Sequence, residues 1–253
     1  TFYDLKSKIF FLVRNHGLEI IKTLFWIFIS EFNKKKIMHF KPINISQWNR
    51  REYFEHYLNH VPCSYSMTLN LDLTELLKEI KKRDIKLYPT MIHLLSMVVN
   101  RHEEFRTAID KDAGVGVFDF LHPSYTIFQN PTETFTNVWT EYTQSFLKFY
   151  RQYESDVKDY GVTKGFMGKP DTPLNVFTIS SIPWVSFTGF NLNLPKAANY
   201  LLPIFTTGKY FHENDKTWLP ITIQVHHAVC DGFHLARFVN ELQEAMNTLF
   251  QTN

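Results

Sequence analysis

The 253 residues carry 27 Lys and Arg against 25 Asp and Glu, a formal net charge of +2 that is too small, on cations too scattered, for a nucleic-acid-binding surface. Hydrophobic residues at 44% and charged ones at 21% describe an ordinary globular chain, while 24 Phe and 12 Tyr exceed what a typical core requires and suit an apolar pocket. The two cysteines, Cys63 and Cys230, lack the paired spacing of a zinc site or a disulfide framework, so no metal is expected and a reducing cytoplasm is the expected compartment.

Residues 1–37 stand apart. Their apolar runs KIFFLV and TLFWIFIS are broken by Arg14, Glu19 and Lys22, well short of the roughly 18 apolar residues of a membrane span, so no span is expected. Ile21, Leu24, Phe25 and Phe28 have helical spacing, which allows a loose amphipathic helix. The preferred reading takes Met38 as a natural start and residues 1–37 as an extension outside the fold, with 38–253 as a single domain. The order of charge and apolar residues is not that of a signal peptide.

From Ser46, SQWNRREYFEHYLNHV predicts a helix with Ser46 as N-cap, stopped by Pro62. YSMTLNLDL alternates at period two and predicts a half-buried strand. Helices follow over TELLKEIKKR and PTMIHLLSMVVNRHEEF, the second opened by Pro89. Residues 105–140 hold several β-rich runs, a polar helix covers roughly 143–159, and GVTKGFMGKPDTP is the strongest loop signal in the chain. VFTISSIPWVSF, PIFTTGKYF and WLPITIQVHH add three strands, the last feeding directly into the amphipathic helix DGFHLARFVNELQEAMNTLF. This mixed order predicts an α+β two-layer sandwich with a large, mainly antiparallel sheet.

The chemistry concentrates at the last junction, HHAVCDG, His226 to Gly232. A histidine at a strand end can exchange a proton near neutral pH and serve a hydroxyl as general base. Spacing leaves either histidine eligible, and Asp231 is placed to cap the helix or to pair with a cation.

HHAVCDGFH, with WNRREYFEHY near residue 48, YPTMIHLL near 88, TETF at 132–135, IPWVSF at 182 and TTGKY at 206, closely resembles the chloramphenicol acetyltransferases, in order from about Met38 to the C-terminus. HHxxxDG alone also occurs in dihydrolipoyl acyltransferases and peptide-synthetase condensation domains, so the flanking blocks select the family. The resemblance implies the coenzyme A-dependent acyltransferase fold and acetyl-CoA-dependent O-acetylation of chloramphenicol at its primary hydroxyl. It implies no bound cofactor and a homotrimer with sites at subunit interfaces.

His227 matches the family's catalytic base, Ser180 the hydroxyl that stabilises the oxyanion, and Thr206 a second hydroxyl acting through water. Asp231 and Arg50 match a structural ion pair. The acceptor pocket would draw on Tyr57, Cys63, Phe135, Phe190 and Leu192, and the coenzyme A path on Lys86, Tyr88, Trp184, Lys209 and Tyr210. Two features depart from the family: the extension of 37 residues, and Gln129 where relatives often have His. The competing readings are an acetyltransferase of the same fold for another hydroxyl compound and an inactive drug-binding trimer.

Overall fold

The computed structural model describes residues 40–193 and 199–251. From Pro42 onward the chain forms one compact unit. The expected extension over residues 1–37, with its amphipathic helix, lies outside the described residues.

After a short strand β1 (Phe40–Pro42), a 3-10 turn (Ile45–Gln47) leads to α1 (Arg51–Glu55), which widens into a π turn over His56–His60. Ser46 is not the N-cap. Asn44 caps the 3-10 turn, its side chain accepting from the Ser46 N–H at 3.2 Å, and the backbone turns extended at Trp48, so the helix starts only at Arg51 with Arg50 as its N-cap. β2 (Ser64–Asp72), α2 (Thr74–Lys82) and α3 (Leu87–Val99) follow. The helix predicted to reach Phe105 ends earlier because the Asn100 amide donates to the carbonyls of Ser96 and Leu121, both at 2.9 Å, closing α3 onto the next segment.

The remaining elements are β3 (Thr107–Asp110), β4 (Gly114–Phe118), β5 (His122–Gln129), β6 (Thr134–Trp139), α4 (Phe146–Tyr160), β7 (Val176–Ile182), β8 (Ile204–Gly208), β9 (Phe211–Glu213), β10 (Lys216–His226) and α5 (Gly232–Thr248). β7 stops short of its predicted end because Pro183 has no N–H for the ladder. β3 and β4 form a small antiparallel pair. The main sheet has seven strands in the order β2-β10-β8-β7-β5-β6, with β9 also on β10. Only β5 with β7 and β7 with β8 are parallel, so the sheet is mainly antiparallel, as the order of elements predicts.

Register gives the sheet two unlike faces. One row runs Met67, Ile223, Phe205, Ile179, Tyr125, Val138 across six strands. α5 covers it through Phe238, stacked on Phe205 at 5.3 Å, and this is the core. The adjacent row, on the opposite face, reads Thr68, Thr222, Thr206, Ser180.

The loop GVTKGFMGKPDTP separates two strands of one sheet and is pinned along the edge of β6: Asn137 N–H donates to the Phe166 carbonyl at 2.7 Å, and Gly168 N–H to the Asn137 carbonyl at 2.9 Å. A Cβ at Gly168 would lie 2.6 Å from Thr136 Oγ1, so only glycine permits this approach. Lys169 then reaches a buried network. Its Nζ is 2.8 Å from Asp156 Oδ1 and lies 4.0 Å over the Trp139 ring, while Tyr125 and Thr140 hydroxyls form a relay ending on Asp156 Oδ2. Removing one partner leaves a buried charge unpaired, so Lys169→Ala and Asp156→Ala are each expected to lower unfolding stability by about 3 kcal/mol. The double variant should lose much less than the sum when unfolded in urea; additive losses would contradict the pairing.

Candidate active site

β10 ends with His226 opposite Ser64, and the ladder gains one further bond, from His227 N–H to the Cys63 carbonyl at 2.8 Å. The chain then turns sharply into α5. Arg50, at the start of α1, grips this turn. Its Nη1 and Nη2 each lie 2.6 Å from an Asp231 oxygen, its Nε donates to the Ala228 carbonyl at 2.8 Å, and Nη2 also donates to the His227 carbonyl at 2.9 Å. The planar guanidinium fork suits a carboxylate bound through both oxygens. Asp231 fills both roles open to it: it pairs with Arg50 and is the N-cap of α5. Hydrogen bonding from Arg50 holds the Asp231 carboxyl below the usual carboxylate range, against a smaller opposing effect of burial.

The His227 ring lies flat on Tyr57, with centroids 3.9 Å apart and 9° between planes, and meets Tyr65 edge-on at 5.4 Å. Its Nδ1 is buried and 3.2 Å from Asp231 Oδ1, but out of line for a hydrogen bond, so the two are electrostatic neighbours only. A lone pair on Nδ1 would face the carboxylate's own lone pairs. The contact therefore favours the tautomer with the proton on Nδ1, which leaves Nε2 as the acceptor.

His226 is differently placed: buried, it accepts the Ala228 N–H through Nδ1 at 3.2 Å, and burial lowers its pKa. The Cys230 thiol, also buried, is pushed up to about 12, mainly by desolvation and then by the Glu104 charge, so at neutral pH it is not a thiolate nucleophile.

Ser180 and Thr206 lie together elsewhere. Parallel register places them side by side on β7 and β8, with their hydroxyls 3.0 Å apart. Thr222 continues the row on β10 and bonds Thr68 at 2.6 Å. Thr222 and His227 are five residues apart, roughly 15 Å along an extended strand, and no hydrogen bond or ring contact among the described residues joins the histidine to the two hydroxyls.

The family model described as chloramphenicol acetyltransferase matches residues 38–243. A chloramphenicol acetyltransferase of Clostridium butyricum is 55% identical over 207 residues, covering 82% of this chain and 94% of that protein. The chain belongs to the chloramphenicol acetyltransferase family. A solved chloramphenicol acetyltransferase superposes with a TM-score of 0.73 at 20% identity, covering 82% of this chain and 99% of its own. The dihydrolipoamide acetyltransferase of Azotobacter vinelandii shares the fold more distantly, with a TM-score of 0.53 at 16% identity over 78% and 86% of the two chains.

The other residues expected from the family fall into groups. Of the acceptor set, Tyr57 and Cys63 touch His227 directly. Phe135 is exposed on the edge strand β6 against Phe166, Phe190 packs on Phe187, and Leu192 donates its N–H to Gln224 Oε1 at 3.0 Å. Of the coenzyme A set, Tyr88, Lys209 and Tyr210 line a cavity of about 520 Å³ together with Ser181 and His212. Lys86 and Trp184 do not line it: Lys86 is exposed at the start of α3, and Trp184 packs edge-on against Phe128 at 4.7 Å. A larger cleft of about 630 Å³, by Asn100 and Tyr142, contains none of the expected residues. Gln129 donates its amide to the Gly161 carbonyl, tying β5 to the end of α4.

Sequence reasoning missed Tyr65, the Ala228 carbonyl, Ser181 and His212. A backbone carbonyl carries no sequence signal, and the period-two pattern of β2 marks Tyr65 only as a facing residue. Among the described residues no group of three or more His, Cys, Asp or Glu is arranged to hold a metal ion, and no helix is long and apolar enough to cross a membrane.

Arg50→Ala should lower stability at pH 7 by about 2 kcal/mol, less than for a fully buried pair because the Asp231 side chain is 37% exposed. Asp231 has a depressed pKa, so its contribution is present above its unfolded value near pH 4 and lost as pH falls through the lower folded value. Urea titrations of wild type and Arg50→Ala at pH 7 and pH 3 should show the gap narrowing in acid; an unchanged gap would contradict the pairing.

Proposed function

We propose that the chain inactivates chloramphenicol by moving the acetyl group of acetyl-CoA onto its primary hydroxyl, with His227 as general base. The observation that carries this reading is the fixed ring of His227, stacked on Tyr57 with Nδ1 buried against Asp231. Nε2 takes the hydroxyl proton while the substrate oxygen attacks the thioester carbon. The tetrahedral oxyanion accepts a hydrogen bond from Ser180, with Thr206 assisting through water. The intermediate then expels the coenzyme A thiolate, which recovers the proton from the imidazolium. A preorganised donor such as Ser180 is worth roughly 10²- to 10³-fold in rate. The scheme needs no covalent acyl-enzyme, bound cofactor or metal, because one histidine performs both proton transfers.

The acceptor ring would lie among Tyr57, Cys63, Phe135, Phe190 and Leu192. Coenzyme A would follow Tyr88, Lys209 and Tyr210, with Lys86 and Trp184 nearer its entrance. This division agrees with aromatic walls for the nitrophenyl group and cations for the phosphates.

The separation along β10 supports a site assembled between chains, the base from one and the hydroxyls from the next, in a cyclic homotrimer. Acetyl-CoA as donor supports a cytoplasmic location. Residues 1–37 are read as lying outside the catalytic domain of 38–253.

Three measurements test the reading. Coenzyme A release followed with a thiol reagent should depend on chloramphenicol and fall about 10²- to 10⁴-fold in His227→Ala. Cys230→Ala should keep kcat within about twofold, since the thiol takes no part. Refolding His227→Ala together with Ser180→Ala at equal amounts should restore about a quarter of wild-type activity. This follows because about three in four random trimers are mixed, and each mixed trimer has one intact interface in three. No recovery would contradict the shared site.

A further inference from the structure

The hydrogen bond that closes the far end of the turn plays no part in the acetyl transfer steps. Asp231 is the N-cap of α5, with extended backbone at φ −99 and ψ 171. Both of its carboxylate oxygens engage Arg50. Its own N–H points instead at His234, the third residue of the helix, and donates to His234 Nδ1 at 2.9 Å. This back-reaching contact is the side chain-to-cap half of a capping box whose two halves are both present, a task usually given to Glu or Gln. An imidazole performs it only when neutral with its proton on Nε2, because Nδ1 must offer a lone pair.

We propose that His234 is a positioning residue for acetyl transfer: by accepting the Asp231 N–H it fixes the backbone from which the carboxylate meets Arg50, and through Arg50 the carbonyls that aim His227. The inference rests on the proposed role of His227 as the base that the Arg50 clamp orients.

A neutral acceptor suits this position better than a carboxylate. His234 Nδ1 is already 3.8 Å from Asp231 Oδ2, so a glutamate there would set a second anion beside Asp231 and compete for Arg50. Four charged groups act on the ring: Glu104 from the turn before β3, Arg50 from the start of α1, and Asp231 and Arg237 on its own segment. Burial, the largest effect, keeps it below the ordinary histidine range and therefore neutral at neutral pH. In acid the ring gains a proton on Nδ1, stops accepting, and releases the Asp231 N–H. As pH falls, kcat therefore loses the support of the His234 contact.

The experiment compares His234→Ala, His234→Gln and His227→Ala in the full chain, with kcat and both KM values measured from pH 5 to 8. In His234→Ala, kcat should fall on the order of tenfold or more, with both KM values within about twofold, since a displaced base costs rate rather than binding. His234→Gln keeps a neutral acceptor that cannot be protonated and should restore kcat to within about threefold while making the acid limb shallower. Wild-type kcat in His234→Ala, a Gln variant as slow as the Ala variant, or a loss confined to KM would each overturn the proposal. If His234→Ala does not fold, the acid limbs of wild type and His234→Gln decide: equal slopes overturn it. His227→Ala separates the two readings, because an active His227→Ala removes the assigned base whatever His234 does.

Discussion

Arg50 spends four hydrogen bonds on one turn: two on the Asp231 carboxylate and one each on the carbonyls of His227 and Ala228. That turn has to leave a strand and enter a helix within a few residues, which strips carbonyls of ladder partners before the helix can use them. A guanidinium supplies its donors in one fixed plane, so the carboxylate and both carbonyls are held by a single rigid group. A lysine has the charge but not the fork. The stacking of Tyr57 and the edge of Tyr65 hold the His227 ring from two sides.

The sheet contributes by having unlike faces. Alternation along β10 sends Ile221, Ile223 and Val225 into the core and Thr222, Gln224 and His226 to the other side. Registration with β8 and β7 turns that alternation into rows, so one apolar row seats α5 and the next forms a line of hydroxyls. The middle of the polar line is buried, with Thr206 2% and Thr222 3% exposed, while Thr68 and Ser180 at its ends are half-buried, and its hydroxyls satisfy one another in pairs. Such pairs orient hydroxyl donors without mobile side chains.

Much of this is legible in the sequence, and the exceptions have physical reasons. The patterns of α2 and α5 are clear because each buries one face, and those of β2 and β10 because apolar and polar residues alternate along them. The start of α1 departs from its pattern because Asn44 caps a separate 3-10 turn that ends in extended backbone at Trp48, and α3 is shorter than its pattern because Asn100 is satisfied by a carbonyl across the fold at Leu121. At the site, HHAVCDG is visible as chemistry, but spacing cannot choose between the histidines or between cap and ion pair. Arg50 is 181 residues from Asp231, and no local pattern reports a contact of that kind. Ser180 and Thr206 come from family resemblance alone, since strand hydroxyls look alike until register pairs them.

The central claim is that the clamp fixes His227 with its proton on Nδ1 and its lone pair on Nε2. Nitrogen-15 NMR of the histidine ring, assigned by comparison with His227→Ala, reads this directly at a pH where the ring is neutral. The account predicts a protonated Nδ1 and an unprotonated Nε2 in the wild-type chain, and a mixture of both tautomers in Arg50→Ala. A wild-type His227 carrying its proton on Nε2 would contradict it.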